Sequence, residues 1–324
     1  MSSNVIRCGD AVTCLRTINM VSIKSGGYIR FVCDSFPDTE NAKRLPQSKI
    51  SDAPKPFLQW VGGKRKMILQ YADLIPKQYG TYWEPFLGGG ALFFHLNPQR
   101  SVINDSNMEL VKTYEAIRDN PEEVINLLSL LRRKHSKELY IAIRAADRHI
   151  DFLKDLHGYE VAARMIYLNQ TCFNAVYRVN KNGQFNVSIG STLNRVICDA
   201  VSIQTASKSL QNDRIISVDF EEALIGVEAG DFVYLDPPYY PVSGYSDFNR
   251  YTKEKFYQKD QVRLRDTFNS LTQKDCYVML SNSDCDFIRG IYSDFNIHTV
   301  YSDRNLNSKA AKRGKIAEVL ITNY

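Results

Sequence analysis

Phe232-Val-Tyr-Leu235, followed at once by Asp236-Pro-Pro-Tyr239, decides how this chain is read. Four apolar residues in a row predict a β-strand that stops where the proline pair begins, because proline brings no N–H to a ladder. In an open α/β sheet, ligands bind beyond the carboxyl ends of strands, which is where this tetrapeptide falls. A carboxylate there can accept a hydrogen bond from an exocyclic amine, and the Pro237 carbonyl can accept a second. Tyr239 offers a ring face on which a flat base can lie. The bland alternative is a stiff Pro-Pro turn with a chance Asp and Tyr beside it.

Outward from that strand, short apolar runs alternate with helical periods. Residues 81–84, 101–104, 214–218, 231–235 and 276–281 are strand candidates; 106–118 and 121–133 are helical, with Pro121 suited to a first turn. Such alternation predicts an α/β fold with a mainly parallel, doubly wound sheet. Residues 122–212 interrupt it with several helices and an expected hairpin near 176–188, where Asn182-Gly183 sits between alternating apolar residues. The expected division is therefore 53–121 with 213–324 as one domain, 122–212 as an insert, and 1–52 as an appendage and linker. Cys8, Cys14 and Cys33 lie in that appendage without a histidine or zinc-like spacing, so no metal is expected.

The chain has 324 residues, 44% hydrophobic and 24% charged, enough to bury a core without staples. No apolar run approaches the ~20 residues that span a bilayer, so no membrane association is expected. The first residues lack the pattern of a signal peptide. Seven scattered cysteines suit a reducing, cytoplasmic setting. The net charge is +5, unevenly spread: residues 132–195 hold eleven Lys/Arg against five Asp/Glu, and 301–318 hold five against two. Two basic segments suit a cleft that grips a polyanion, since neutralising phosphates releases counterions. The other reading is solvated helix faces and loop tips.

Three further features carry chemistry. Glu84-Pro-Phe-Leu-Gly88-Gly89-Gly90 follows a predicted strand, where glycine lets the backbone turn tightly and approach a ligand. Asp105 ends the next strand, a place from which a carboxylate can hold ribose hydroxyls. Phe57-Leu-Gln-Trp60-Val-Gly-Gly-Lys64 could wrap a charged, partly aromatic ligand, or simply bury a tryptophan before a turn. Gly62-Gly63-Lys64 is followed by Arg65, out of frame for a phosphate-binding loop.

In that order and spacing, Trp60-(x3)-Lys64, Glu84-Pro-Phe-Leu-Gly-Gly-Gly, Asp105, Asp219-Phe220 and Asp236-Pro-Pro-Tyr239 resemble the Dam family of α-group DNA adenine-N6 methyltransferases, from about Pro56 to Tyr324. The resemblance implies a Rossmann-like methyltransferase sheet carrying an inserted recognition domain. It also implies S-adenosylmethionine as cofactor with S-adenosylhomocysteine as product, no metal, and double-stranded DNA as substrate, usually at GATC. By resemblance, Trp60, Lys64, Glu84, Phe86, Gly88, Gly90, Asp105, Asp219, Phe220 and Asp236 contact the cofactor. Asp236, Pro237 and Tyr239 surround the target adenine. Phe173, Asn174, Val176 and Arg178 match the recognition segment, with Arg178 reading a guanine. Gln59 stands where many members have a lysine, Val176 where leucine is usual, and Ser188 where a proline is usual; these departures bear on the exact recognition sequence. Arg304, Lys312 and Arg313 are candidate phosphate contacts. A bacterial or phage enzyme working beside the chromosome is implied, a cognate restriction endonuclease is a possible partner, and a monomer suffices.

Alternatives stay open at this point. Asp-Pro-Pro-Tyr variants also serve cytosine-N4, RNA and protein-amide methyltransferases, and a non-catalytic DNA-binding regulator could keep the fold. A cytosine-C5 route is ruled out, because none of the eleven prolines precedes a cysteine.

Overall fold

The computed structural model describes residues 54–324 except 61, 63, 65, 66, 150, 192–195, 242–255 and 304–314. It also describes two short antiparallel strands, β1 (Ser22–Ile23) and β2 (Ile29–Arg30). Seven strands form the main sheet: β3 (Tyr82–Glu84), β4 (Ser101–Asn104), β5 (Arg214–Ile216), β6 (Phe232–Leu235), β7 (Tyr277–Ser283), β8 (Asn296–Asp303) and β9 (Lys315–Thr322). Their order is β5-β4-β3-β6-β7-β9-β8. The first five run parallel, while β9 is antiparallel to both β7 and β8. The doubly wound α/β sheet expected from the sequence is present.

Strand alternation builds two cores. Tyr82, Ile103, Phe232, Tyr234, Met279 and Leu320 point to one face; Trp83, Val102, Val233, Leu235, Val278 and Val319 point to the other. The helices Met108–Asp119, Gly158–Thr171 and Ala200–Leu210 cover the first face, and Gln258–Gln273 with Asp286–Ile291 covers the second. With helices on both faces the strands read as continuous apolar runs, which is why 232–235 was legible. Among the described residues, no helix is long and apolar enough to cross a membrane.

Local chemistry sets the element ends. Asn107 caps Met108–Asp119 by accepting from the N–H groups of Glu109 and Leu110, so this helix starts two residues later than expected. Pro121 sits in the first turn of Pro121–Arg133, as its spacing suggested. Strand β6 begins at Phe232, not 231, because Asp231 spends its carboxylate on the Thr81 N–H (2.7 Å) and Trp83 Nε1 (2.8 Å).

The topology fixes where ligands go. The chain runs β3, β4, β5 to one side, then returns to lay β6 and β7 on the other side of β3. Neighbouring chain paths diverge at the carboxyl ends of β3 and β6 and leave a crevice there. All of residues 105–213 lie between the adjacent strands β4 and β5, so this long connection leaves the sheet beside that crevice.

Candidate active site

Glu84 ends β3, and Asp236 follows the last residue of β6. The Lys64 ammonium, only 4% exposed, lies 3.2 Å from Asp236 Oδ1 and 3.5 Å from Glu318 Oε2. It donates to Tyr239 Oη at 2.5 Å, and Tyr239 donates to Glu318 Oε2 at 2.8 Å. Ser281 Oγ also hydrogen-bonds Tyr239 Oη. Burial pushes Asp236 up to about 6, against the pull of the Lys64 charge, and also pushes the Tyr239 phenol up, so the phenol stays protonated. Glu84, which accepts from Tyr82 Oη at 2.7 Å, is pushed well above the ordinary carboxylate range by burial.

The turn carrying Tyr239 is pinned from behind by β7. Gln261 Nε2 donates to the Pro238 carbonyl (2.9 Å), and Gln261 Oε1 accepts from Asn282 Nδ2 (2.9 Å). Asn282 Oδ1 accepts from the Tyr240 N–H (3.1 Å), and Ser283 Oγ donates to the Tyr240 carbonyl (2.6 Å). Ser281-Asn-Ser thus holds the Pro-Pro-Tyr turn in place.

Beside this cluster, Asp105 accepts from the Gly88 N–H (2.9 Å) and the Asn107 N–H (2.8 Å), while burial pushes its carboxyl up. Asn104 clips the neighbouring loops together, donating to the Pro85 carbonyl (2.9 Å) and accepting from the Val218 N–H (2.9 Å). Phe86, Phe220 and Phe256 meet at centroid distances of 5.4–6.0 Å and form one apolar wall. Arg263 covers the Phe220 ring at 4.8 Å and pairs with Asp219 Oδ1 (2.9 Å). Asp219 also caps the helix Phe220–Ala223 through the Glu221 N–H.

Trp60 joins the Gly88–Gly90 turn to the expected recognition segment. Its ring stacks on Tyr177 at 5.1 Å and packs over Gly88 and Gly89. Gln59 is exposed, with its backbone N–H and carbonyl both bonded to the buried Asn169 side chain (2.9 and 2.8 Å). Asn169 also donates to the Ala175 carbonyl at 3.3 Å, so one buried amide ties Gln59 to the segment. Phe173, Asn174, Arg178 and Ser188 are exposed and Val176 is half-buried, whereas Tyr177, Val179, Phe185 and Val187 are buried. Arg178 Nε donates to Asn186 Oδ1 at 2.8 Å.

Three expectations need correction or narrowing. The hairpin is held by the isolated bridge Val179↔Phe185 instead of a regular ladder. Its loop has three residues, because Asn180 Oδ1 accepts from the N–H groups of Asn182 and Gln184 and Gly183 takes φ +78°. Within the basic run 132–195, Arg164 is not a surface charge: it is 1% exposed and paired with Glu109 and Asp147. Arg304, Lys312 and Arg313 lie outside the described residues.

The family model described as D12 class N6 adenine-specific DNA methyltransferase matches residues 60–306. The chain belongs to this family. It is an adenine-N6 DNA methyltransferase, and the family implies S-adenosylmethionine as its cofactor. The chain is 46% identical over 284 residues to the Type II methyltransferase M1.LlaDCHI of Lactococcus lactis subsp. cremoris, covering 86% of this chain and 98% of that protein. It is 38% identical over 291 residues to the Type II methyltransferase M.MjaIII of Methanocaldococcus jannaschii, with 83% and 99% covered. To the DNA adenine methylase of Escherichia coli it is 27% identical over 266 residues, with 82% and 93% covered.

Sequence reading of this methyltransferase missed Glu318, Gln261 and Asn169. The signal for Glu318 was a single carboxylate inside Ile316-Ala-Glu-Val-Leu-Ile, an apolar strand where a charge needs a partner. At Gly88 the methyltransferase tolerates no side chain. Its φ is +49°, and a Cβ would lie 2.8 Å from Trp60 Cδ1. Gly88→Ala is expected to cost about 1–2 kcal/mol from the left-handed backbone alone, read as a lower melting temperature. It should also displace Trp60 and shift tryptophan emission, since Trp83, the other of the two tryptophans, is buried against Asp231.

Proposed function

We propose that this enzyme transfers a methyl group to an adenine turned out of duplex DNA, at GATC or a close variant. The observation that carries the reading is the Lys64–Asp236–Tyr239–Glu318 cluster at the carboxyl rim of β6, in which a half-buried carboxylate lies beside a tyrosine ring. Residues 53–121 with 213–324 are proposed as the catalytic domain, 122–212 as the recognition insert, and 1–52 as an appendage.

The residues fit S-adenosylmethionine by their donor chemistry. Asp105 has one lone pair on each oxygen engaged by a backbone N–H, with others free for ribose hydroxyls. The Gly88–Gly90 turn brings bare backbone to the rim, with Gly90 at φ +64°, and the Phe86–Phe220 wall suits an adenine ring. Trp60, Lys64, Glu84, Phe86, Gly88, Gly90, Asp105, Asp219, Phe220 and Asp236 are the proposed contacts. When bound, this cofactor supplies a methyl group activated by a sulfonium and leaves as S-adenosylhomocysteine.

The chain's own residues prepare the nucleophile. The adenine amine is a weak nucleophile because its lone pair is spread into the ring. Asp236 and the Pro237 carbonyl accept its two hydrogens, which favours a pyramidal nitrogen. Tyr239 holds the base by its ring face, with its hydroxyl fixed by Glu318 and Ser281. The gain is orientation and electrostatic placement, without a covalent intermediate on the protein.

Gln59, Phe173, Asn174, Val176, Arg178 and Ser188 are proposed to read the site, with Arg304, Lys312 and Arg313 on phosphates. Arg178 is exposed, and its Nε is held by Asn186, which leaves the guanidinium amines to meet a guanine. Arg178→Ala is expected to cost about 1–3 kcal/mol of base discrimination. Comparing methylation of cognate and single-mismatch duplexes reads this loss; unchanged selectivity assigns readout to other residues. A cognate restriction endonuclease is the proposed partner, prompted by the Type II names of two relatives, and the cytoplasm the proposed setting.

The deciding experiment is a long-read modification map of DNA from a methylation-free host expressing the full chain. Methylated adenine at GATC supports the whole reading. Methylated adenine in another motif keeps the chemistry and reassigns the readout residues. Modified cytosine or no modification overturns it.

A further inference from the structure

With Asp236 as the acceptor, the cluster holds a second carboxylate, Glu318, whose effect on that acceptor goes beyond fixing the Tyr239 hydroxyl. Glu318 lies in the first half of β9, opposite Ser283 of β7 and Val300 of β8. Because β9 runs antiparallel to its parallel neighbours, its first half reaches the rim where their carboxyl ends lie. That reversal delivers a carboxylate from a distant part of the chain to the same ammonium that Asp236 binds. A single oxygen, Oε2, receives both Tyr239 Oη (2.8 Å) and Lys64 Nζ (3.5 Å). The Glu318 side chain is 13% exposed and that of Lys64 is 5% exposed, so both charges are largely shielded from water.

We infer that Glu318 is a positioning residue of the transfer site, sharing the Lys64 ammonium with Asp236 and fixing the Tyr239 hydroxyl, so that Asp236 stays available to the target amine. The inference rests on the adenine-transfer reading above. Its physical basis is competition for charge. With two carboxylates 3.2 and 3.5 Å away, the ammonium is divided between them. With Glu318 neutral, Asp236 becomes the one anionic partner of the ammonium among the described residues. An acceptor closed onto an ammonium pulls less on an amine hydrogen. At the same time the Tyr239 hydroxyl exchanges a charged acceptor for a weaker neutral one and is held less firmly in place. Among the described residues, Lys64, Glu318 and Tyr239 act directly on Asp236, and Glu84, Tyr71 and Tyr234 also feel its charge. Among these, Glu318 and Glu84 are the carboxylates; burial holds Glu84 towards its neutral form, so Glu318 is the anion that most affects Asp236.

The test is the Glu318→Gln variant of the full chain, assayed in single turnover on a duplex across pH 5–9. Glutamine keeps the size and an accepting oxygen but removes the charge. The expected result is a rate about 10- to 100-fold lower, with the KM values for DNA and for S-adenosylmethionine within a few-fold of the parent. The acid limb of the rate should move to lower pH, because loss of a neighbouring negative charge makes Asp236 easier to ionise. Glu318→Asp should recover part of the rate. The position of the limb does not depend on the fraction of active enzyme, so it reads the site even in a partly unfolded preparation. A limb that stays in place overturns the inference, whatever the rate. If the parent chain methylates no adenine, the reading of the whole site fails; if the parent is active and Glu318→Gln matches it, only the role of Glu318 fails.

Discussion

Replacing Asp236 with alanine is expected to slow methyl transfer by about three orders of magnitude, while S-adenosylmethionine binding by calorimetry stays measurable. The argument is one of position and charge together. Asp236 directly follows β6, whose four residues are all buried, so the backbone that presents the carboxylate has little freedom to shift. Its Oδ1 is 3.2 Å from the Lys64 ammonium, and the residue after it supplies the carbonyl that would take the second amine hydrogen. Alanine removes the acceptor and leaves Lys64 paired with Glu318 at 3.5 Å. Asp236→Asn separates shape from charge and should be almost as slow; near-normal turnover of either variant would refute the role. The same residue sets a pH dependence. An acceptor must be ionised, and burial holds this carboxyl at about 6. The rate in the parent enzyme is therefore full above that value and falls as pH drops through it, with Asp236 protonated on the acid side. An acid limb near the ordinary carboxylate value of about 4 would show that the acceptor is more hydrated than the buried geometry implies.

The second large effect is on stability. Arg164, in the helix Gly158–Thr171, pairs with Glu109 and with Asp147 Oδ2 (2.9 Å), and donates to the carbonyls of Ile143 (3.1 Å) and Arg144 (3.2 Å). Tyr177 donates to Glu109 Oε2 at 3.3 Å, and the Phe185 N–H donates to Asp147 Oδ2 at 2.7 Å. One guanidinium therefore joins two helices to the segment that carries Arg178. Arg164→Met keeps much of the bulk but strands the buried Glu109 carboxylate and leaves Asp147 to Arg148 alone, a change that costs about 3–5 kcal/mol when a buried pair loses one partner. For a chain of this size that is a fall in melting temperature of about 10 °C, measured by thermal denaturation. A fall under about 2 °C would mean that water reaches Glu109 and Asp147. The ordering of Tyr177 and Phe185 should suffer as well, so discrimination between duplexes should weaken before catalysis is lost at permissive temperature.

The two results draw on features of very different visibility. Asp236 stood out in the sequence because its surroundings are local: an apolar run, a carboxylate and two prolines in eight consecutive residues. Strands β3, β4 and β6 were legible for the same reason, being buried along their whole length. Strands β8 and β9 were not. Asn296, His298, Thr299 and Ser302 break the apolar run of β8, which lies at the sheet edge and can expose alternate residues. Arg164 reads as one more charge of the basic run 132–195, since nothing near it in sequence marks it as buried; its partners are 55 and 17 positions away. The Asn182-Gly183 turn was found, but the side chain of Asn180 made the loop three residues long.

By itself the sequence determined the sheet class, the order of the motifs and the residues at the strand ends, because strand periodicity and proline chemistry act over a few neighbouring residues. Which charges meet is set by the folding of distant segments together. Lys64, Asp236 and Glu318 come from three separated segments, and β9 brings the last of them to the rim only by running against its neighbours. Their separation is set by strand order and direction, and Coulomb interactions depend on distance and burial, neither of which is written in the spacing along the chain.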